Sequence, residues 1–297
     1  MRKFTQKNDR RAYIFMLPFL LLMTIFIVIV FISGFFISLT DAQGINPGKY
    51  TGLTNFRQIL SDAEFWNSVK VSLKFAAVSV LIQIPASFLL SIWIESLPYK
   101  KTKNYLKAAF FIPSLINTVI AGILFRMLFT GDRCIVNIIL GFFGLPSDSD
   151  WLGNPELAFT LLVIVSFWQC IGYQIIYFTA NLAALAREPF EAAKIDGAGK
   201  IAVLRKITLP LMKPSLIFMT VTSAVASMMV FDLALGLFQY DLYSQIRGII
   251  LYIYLRAFQW DLAIGAASAA GWIAFFIILS VSLFQLKILG SGDKNEE

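Results

Sequence analysis

Long apolar runs without a single charged residue alternate along this chain with shorter segments in which the charges gather. A charge-free run of roughly 18 or more residues is long enough to cross a hydrocarbon core of about 30 Å as a helix. Inside a bilayer the backbone must satisfy its hydrogen bonds within the segment, which favours helices. The pattern predicts six transmembrane helices, in the runs Ala12–Thr40, Phe75–Ile94, Ala108–Phe125, Leu157–Ala186, Pro214–Phe231 and Leu262–Leu286.

Composition supports a membrane protein, because the 297 residues are 58% hydrophobic and only 14% charged. The fold class expected is therefore all-α. The net charge of +7 reflects topology rather than nucleic-acid binding. If the N-terminus is cytoplasmic, the basic residues concentrate in the cytoplasmic segments, which is the positive-inside distribution and predicts that both termini are cytoplasmic. We expect a tail, first span and outer loop over 1–68, a transmembrane core over 69–288, and a cytoplasmic tail over 289–297.

Several kinds of chemistry are missing from the sequence. The chain has no histidine and two cysteines, Cys134 and Cys170, so neither a transition-metal site nor Ser-His or Cys-His catalysis is expected. It also lacks a phosphate-binding loop, because Gly197-Ala198-Gly199-Lys200 is followed by Ile201 and has no earlier glycine at the required spacing. We expect a chain that is not an enzyme and that binds no cofactor itself.

The cytoplasmic segment 187–213 has a helical design of its own. Glu188-Pro189 suits the opening of a helix, and Gly197 suits the left-handed residue that ends one. A second short helix is predicted from Lys200 to Ile207, with Leu209-Pro210 ending it. Two short helices with small alanines and an apolar stripe fit a groove on a partner protein. The alternative is a hairpin that lies on lipid headgroups.

Two parts of this segment, Glu191 to Ala198 and Ile207 to Pro214, closely resemble the EAA loop of type I ABC importer permeases. In that family the loop forms coupling helices that sit in a cleft of the ATPase and transmit its closure to the pore. The family often has phenylalanine at the position of Leu204, where a smaller anchor is expected here. The resemblance implies a coupling role for Glu191, Ala192, Ala193, Asp196, Gly197, Leu204, Leu209 and Pro210.

The resemblance extends over nearly the whole chain and is strongest to sugar-uptake permeases in which one subunit pairs with a second, similar one. It implies the six-span type I fold and half of a pore for a sugar or oligosaccharide in a bacterial membrane. The implied partners are the second permease, an ATPase dimer that binds ATP and Mg, and an extracytoplasmic solute-binding protein. One departure is Leu237 to Asp241, where the family usually has Thr-x-Gly-Gly-Pro.

Polar residues inside spans are costly in lipid and usually face a bundle interior, which makes them candidates for a solute pathway. Asp232 is the only charged residue between Lys213 and Asp241. Its carboxylate would accept hydroxyl hydrogen bonds from a sugar, or it would lie near the outer interface and pair with Lys74 or Arg126. Amide and aromatic residues of the fourth span are either sugar-binding groups or interhelical contacts: Trp168, Gln169, Tyr173 and Gln174.

The sequence is also compatible with two other functions. The same machinery would import a non-sugar solute such as glycerol phosphate or a polyamine, and an anionic cargo would favour a cationic pathway built on Lys74 and Arg126. An ATP-independent channel or a membrane-embedded enzyme is the alternative from another class. A channel has no need of a segment that docks on a partner, such as the segment 187–213, which we call the docking segment. A membrane-embedded enzyme needs an intramembrane cluster of catalytic groups.

Overall fold

The computed structural model describes residues 7–131, 134–144, 147–238 and 246–290. In these residues the regular elements are helices, apart from two isolated bridges that join Thr40 to Tyr50 and Gln43 to Asn46. The α-helices are α1 Lys7–Met23, α2 Val30–Ser38, α3 Thr54–Ser61, α4 Ala63–Ser96, α5 Lys100–Phe111, α6 Thr118–Phe129, α7 Ile135–Phe142, α8 Pro155–Ala183, α9 Glu188–Ile195, α10 Lys200–Val203, α11 Leu209–Met228, α12 Asp232–Phe238, α13 Ile249–Phe258 and α14 Ile264–Gly290.

The predicted all-α membrane fold is confirmed. Within the described residues, five helices are long and apolar enough to cross a membrane, and a bent pair would make a sixth span. The π-helical turn Thr24–Ile29 joins α1 to α2, so the first span is continuous. The five straight candidates are Phe15–Ser38, Ala63–Ser96, Pro155–Ala183, Lys200–Met228 and Ile264–Gly290.

The third predicted span is not one continuous helix. Its chain bends by 91° between α5 with the 3-10 turn Ile112–Leu115 and the following α6. Pro113 has no backbone N–H to donate and lies in that turn. Asn117 then opens α6, because its Oδ1 accepts from the backbone nitrogens of Val119 (3.0 Å) and Ile120 (3.4 Å).

The chain contacts divide the molecule into two units, of which the first comprises 1–65 and 252–275. Trp272 packs against Phe31, with ring centroids 4.4 Å apart. Asn55 is buried and donates from Nδ2 to the carbonyls of Ser38 (2.8 Å) and Thr40 (2.7 Å), so α3 is tied to the end of α2.

An ionic cluster lies in the same unit. Tyr252 donates to Asp62 Oδ2 at 2.5 Å, and Arg256 Nη1 lies 3.7 Å from that oxygen and 3.6 Å from Asp261 Oδ2. Burial, and then the Asp62 carboxylate, raises the pKa of Tyr252 far above its usual value. Tyr252 therefore remains a neutral donor that helps to hold α13 against the residues at the start of α4.

The second unit comprises 66–251 and 276–297 and contains the helices that matter for a pathway. Helices α4 and α8 pack through aromatic pairs, such as Phe88 with Phe178 at 5.4 Å between centroids. Helix α8 also approaches α5 closely at Gly172, where an added Cβ would collide with the Phe110 carbonyl. Ile84, Phe178 and Met219 belong to a buried cluster that joins α4, α8 and α11.

Candidate functional site

A cavity of about 540 Å³ lies among helices of the second unit. Its volume falls within the roughly 300–1,000 Å³ of small-molecule sites. Residues of α4, α6, α8, α11 and α12 and of the turn before α6 form its walls. Its polar lining consists of Gln83, Ser114, Thr118, Ser166, Gln169, Cys170, Tyr173, Gln174, Thr222, Ser223, Ser227 and Asp232.

A network of amides and hydroxyls orders one wall of the cavity. Gln174, only 3% exposed, donates from Nε2 to Gln83 Oε1 at 3.2 Å and to Ser223 Oγ at 3.3 Å. Gln83 donates in turn to Ser166 Oγ at 3.3 Å. The Oε1 atom of Gln174 is buried and has no hydrogen-bond partner. An unpaired buried acceptor is costly, and the residue that carries this one lines the cavity.

The predicted residues of the fourth span separate into two groups. Gln169, Tyr173 and Gln174 line the cavity, where Gln169 also donates to the Ile116 carbonyl at 2.9 Å and so fixes the turn before α6. Trp168 lies outside the lining and packs against Phe125, with ring centroids 5.0 Å apart. Of the two roles that the sequence left open for Trp168, sugar binding and an interhelical contact, the structure shows the interhelical contact.

Asp232 lines the cavity from the first residue of α12 and is exposed. The fifth span ends at Met228, so Asp232 follows the span rather than lying inside it. In the described residues no ion pair joins Asp232 to a cation. Lys74 instead lies over the Phe159 ring, with Nζ 4.4 Å from the centroid.

A glycine contact positions the helix that carries Asp232. Helices α6 and α12 meet at Gly122 and Gly236, where a Cβ added to Gly122 would lie 2.8 Å from Gly236 Cα. A Cβ on Gly236 would collide with the Val119 carbonyl. Small residues let helices approach this closely, and here they bring Asp232 to the cavity.

Sequence reasoning missed the contribution of α4 to the cavity. Gln83 belongs to a stripe of buried polar residues at every fourth position, with Ser79, Ser87 and Ser91. Residues four apart share one face of a helix, so this spacing already marks a face turned away from lipid. The signal was present in the sequence, but each serine taken alone is unremarkable in a span.

The predicted coupling segment folds largely as expected in its first half. Helix α9 ends at Ile195, and Gly197 two residues later has φ 68°. Ala198 donates back to the Ala193 carbonyl at 2.9 Å, as in a left-handed helix cap. Ala193 is buried, whereas Ile195 and Ile201 are 86% and 71% exposed. The other predicted coupling residues of α9 and its cap are exposed: Glu191, Ala192 and Asp196.

The predicted end of the second helix at Leu209-Pro210 is wrong. One helix runs from Lys200 to Met228, and both Pro210 and Pro214 lie inside it. The π-helical turn Leu204–Thr208 precedes Pro210, and Leu209 donates to the carbonyl of Leu204, five residues back. This wider turn changes the hydrogen-bond register just where proline contributes no donor.

Leu204, Leu209 and Pro210 therefore belong to a continuing helix. Leu204 is half-buried and packs against the cluster around Phe178 and Met212. Leu209 and Pro210 remain exposed. The exposed part of the segment thus comprises residues of α9 such as Glu191 and Ala192, the turn between α9 and α10, and these two residues.

Several helices long and apolar enough to cross a membrane, with a partly polar cavity among them, are typical of a multi-pass membrane protein. Comparison with protein-family models makes the assignment specific: residues 87–290 match the binding-protein-dependent transport system inner membrane component. The chain belongs to this family, and its function is that of the permease subunit of an ABC import system. The resemblance noted in the sequence is confirmed.

The chain is similar over almost its full length to named permeases. It is 33% identical to the arabinooligosaccharides transport system permease protein AraP of Bacillus subtilis (strain 168), over 94% of this chain and 88% of that protein. It is 31% identical to the probable starch degradation products transport system permease protein AmyD of Thermoanaerobacterium thermosulfurigenes, over 94% of each chain.

A solved structure shares the fold. The crystal structure of a bacterial ABC transporter involved in the import of the acidic polysaccharide alginate superposes with a TM-score of 0.85. The alignment covers 97% of this chain and 98% of that chain at 23% sequence identity. The likeness confirms the fold, and the cargo of that transporter is a property of that protein.

Proposed function

We propose that this chain forms half of a translocation pore for a neutral sugar or oligosaccharide, which an extracytoplasmic binding protein delivers. The observation that carries the proposal is the cavity, where amides and hydroxyls converge and the Gln174 Oε1 acceptor has no partner. Sugar hydroxyls donate and accept hydrogen bonds, so such a wall complements them. Two relatives named for arabinooligosaccharides and for starch degradation products support a carbohydrate cargo.

The chain performs no chemistry of its own in this proposal. A separate ATPase dimer binds ATP and Mg, and a second permease supplies the rest of the pore. The exposed turn around Gly197 docks on the ATPase from the cytoplasmic side, where both termini also lie. Its exposed isoleucines, Ile195 and Ile201, offer the apolar anchors that such a contact requires.

The continuous helix Lys200–Met228 connects the two functional regions. Its first turns belong to the docking segment, and its later residues Phe218 to Ser227 contribute to the cavity wall. Movement of the docking segment during ATP hydrolysis would therefore reach the cavity through one helix. Alternating access follows if that movement opens the cavity to each side of the membrane in turn.

The test is ATP hydrolysis by the complex of this chain, its companion permease and the ATPase in proteoliposomes, with the binding protein present. Arabinotriose, maltotriose, glycerol 3-phosphate and spermidine are supplied separately, and uptake of each is followed with a radiolabel. We expect stimulation and uptake with a neutral oligosaccharide. Stimulation by glycerol 3-phosphate or spermidine alone would contradict the sugar assignment, and uptake without ATP would contradict the importer mechanism.

The docking segment is tested in the same assay with Gly197→Trp. We expect the variant complex to assemble and to lose stimulated hydrolysis, because a large side chain on the exposed turn obstructs the ATPase cleft. Unchanged stimulation with the complex intact would show that this turn does not transmit the signal.

A further inference from the structure

The charge of the cavity is set by one residue. Asp232 is the single charged side chain in its lining, and among the described residues no lysine, arginine or glutamate faces the space. The two basic residues that would form a path for anions are placed elsewhere. Lys74 lies over Phe159, and Arg126 is half-buried on α6 outside the lining.

The cavity that this carboxylate lines also has apolar walls. Phe75, Phe218 and Met219 are among the apolar side chains that line it beside the polar ones. A charge beside low-dielectric walls in a narrow space acts over longer distances than it does in bulk water. The amides and hydroxyls of the lining are neutral, so they do not cancel this charge.

We propose that Asp232 determines the charge class of the cargo: the cavity admits neutral or amino-bearing sugars and excludes sugars that carry carboxylate or phosphate groups. An anionic sugar that enters would meet a carboxylate with no ion pair, and no cation among the described residues of the lining. The inference rests on the proposed sugar-import function and refines its substrate class. It also separates this chain in cargo from the importer of acidic alginate that shares its fold.

The chain contains a reporter of this charge. Cys170 is exposed and lines the same cavity, and the other cysteine, Cys134, is buried. The complex in proteoliposomes, with a Cys134→Ser background and companion subunits without cysteine, is treated with two thiosulfonates of similar size. One reagent carries a trimethylammonium group and the other a sulfonate. The ratio of their reaction rates at Cys170, relative to the ratio at a small free thiol, measures the local potential.

We expect the cationic reagent to be favoured at Cys170 by roughly five- to tenfold over the free-thiol ratio at low ionic strength, and less at high salt. Asp232→Asn should return the ratio to within about twofold of the free thiol, since it removes the charge and keeps the shape. The matched control is Asp148→Asn, which removes an exposed carboxylate outside the lining and should leave the ratio unchanged.

An equal ratio in wild type and Asp232→Asn would overturn the proposal, as would a wild-type ratio equal to that of the free thiol. If both reagents slowed together in Asp232→Asn, the residue would govern access rather than charge, and the proposal would also fail. If the companion subunit shields Cys170, Thr222→Cys supplies a second exposed reporter in the lining, with the same expected ratios.

The labelling result does not depend on sugar import, so the two proposals fail separately. Loss of the charge preference with intact maltotriose uptake removes only the inference about Asp232. A normal charge preference without uptake of any sugar removes the import function and leaves the charge of the cavity established.

Discussion

Gln174 illustrates how much a single side chain in this fold has to satisfy. It is buried in α8, its Nε2 donates to both Gln83 and Ser223, and its Oε1 lacks a partner. Polar groups in a span are expensive unless they are paired or used. The two donated bonds fix the amide of a residue that lines the cavity. In the proposed function, this fixed amide supplies an acceptor for a sugar hydroxyl.

We predict that Gln174→Leu lowers sugar uptake by roughly tenfold, which corresponds to the loss of about 1.4 kcal/mol of hydrogen bonding to the cargo. The measurement is the initial rate of radiolabelled oligosaccharide uptake in proteoliposomes at fixed complex concentration. Gln285→Leu is the matched control, because Gln285 Oε1 is also buried and unpaired but lies outside the cavity lining. Equal losses in the two variants would show that the effect is structural.

In the turn between α9 and α10, which we propose docks on the ATPase and call the docking turn, Gly197 has the backbone conformation that other residues adopt least readily. Its φ of 68° lies in the left-handed region, and an added Cβ would meet nothing within 4 Å. The cost of a side chain there is therefore conformational and amounts to about 1–2 kcal/mol. Gly199 also has open space for a side chain, but its φ is −69°.

We predict that Gly197→Ala reduces stimulated ATP hydrolysis several-fold, whereas Gly199→Ala retains nearly the wild-type rate. Gly197→Asn should fall between them, since asparagine tolerates the left-handed region better than alanine. Hydrolysis by the reconstituted complex with loaded binding protein is the readout. Equal rates for the two alanine variants would mean that the left-handed turn is not required for coupling.

At the scale of elements, the helix Lys200–Met228 spans about 43 Å at 1.5 Å per residue. Its π-helical turn Leu204–Thr208 lies between the turn around Gly197 and the residues of this helix that line the cavity, Phe218 to Ser227. A π-helical turn holds one extra residue and sets the rotation of one part of a helix relative to the other. The π-helical turn therefore sets the angle, about the helix axis, between the docking turn and the residues that line the cavity.

We predict that deletion of Ile207 converts this turn to a regular α-helix and rotates α9 and α10 by about 100° relative to α11. The variant complex should assemble and hydrolyse ATP at its basal rate, but the loaded binding protein should no longer stimulate it. Arg205→Ala, in the same turn and exposed, is the control that leaves the register intact. Retained stimulation in the deletion variant would argue against transmission through this helix.

The glycine contact between α6 and α12 carries a second prediction at this scale. Gly236→Ala should lower the stability of the purified complex by about 1–3 kcal/mol, because its Cβ collides with the backbone carbonyl of Val119. Gly271→Ala adds the same methyl group to a helix glycine that has nothing within 4 Å and should be neutral. Thermal unfolding followed by tryptophan fluorescence distinguishes the two. A neutral Gly236→Ala would show that α12 shifts freely.

The sequence predicts the spans well because a long charge-free run is stable in lipid as a helix, in which the backbone hydrogen bonds lie within the segment. It does not predict which proline interrupts a helix. Pro85 and Pro210 lie within helices, whereas Pro113 lies at a 91° bend. What distinguishes Pro113 is its setting: Asn117 caps the next helix, and Gln169 of α8 holds the carbonyl of Ile116. The second of these contacts is tertiary and invisible in local sequence.

The sequence predicts part of the candidate site, as it predicts part of the fold. Residues that stand out by type, such as Asp232 and Gln174, were found from sequence and do line the cavity. Trp168 stands out equally and packs against Phe125, because its direction from α8 depends on helix packing. Ser166 and Ser223 escaped notice, since serine is common in membrane helices and only the assembled bundle places these hydroxyls beside Gln83 and Gln174.

At the scale of the whole molecule, helix α8 predicts which side of the membrane the regions before and after it face. Residue Asp148 and residue Ala198 are both exposed, and α8 is the one candidate span between them in the described chain. A single crossing puts the two residues on opposite sides. The basic residues around Ala198, among them Lys194 and Lys200, favour the cytoplasm for that end.

We predict that Asp148→Cys reacts with a membrane-impermeant maleimide in intact spheroplasts, and that Ala198→Cys reacts only after permeabilisation. Both variants are made on a background in which Cys134 and Cys170 are replaced by serine, so that each carries one thiol. The prediction has a built-in contrast, because an inverted orientation would exchange the two labelling patterns rather than abolish them. Labelling of both in intact spheroplasts would mean that α8 does not cross the membrane. Since the docking turn must face the ATPase in the cytoplasm, the observed pattern decides whether the coupling segment and the energy source share a compartment.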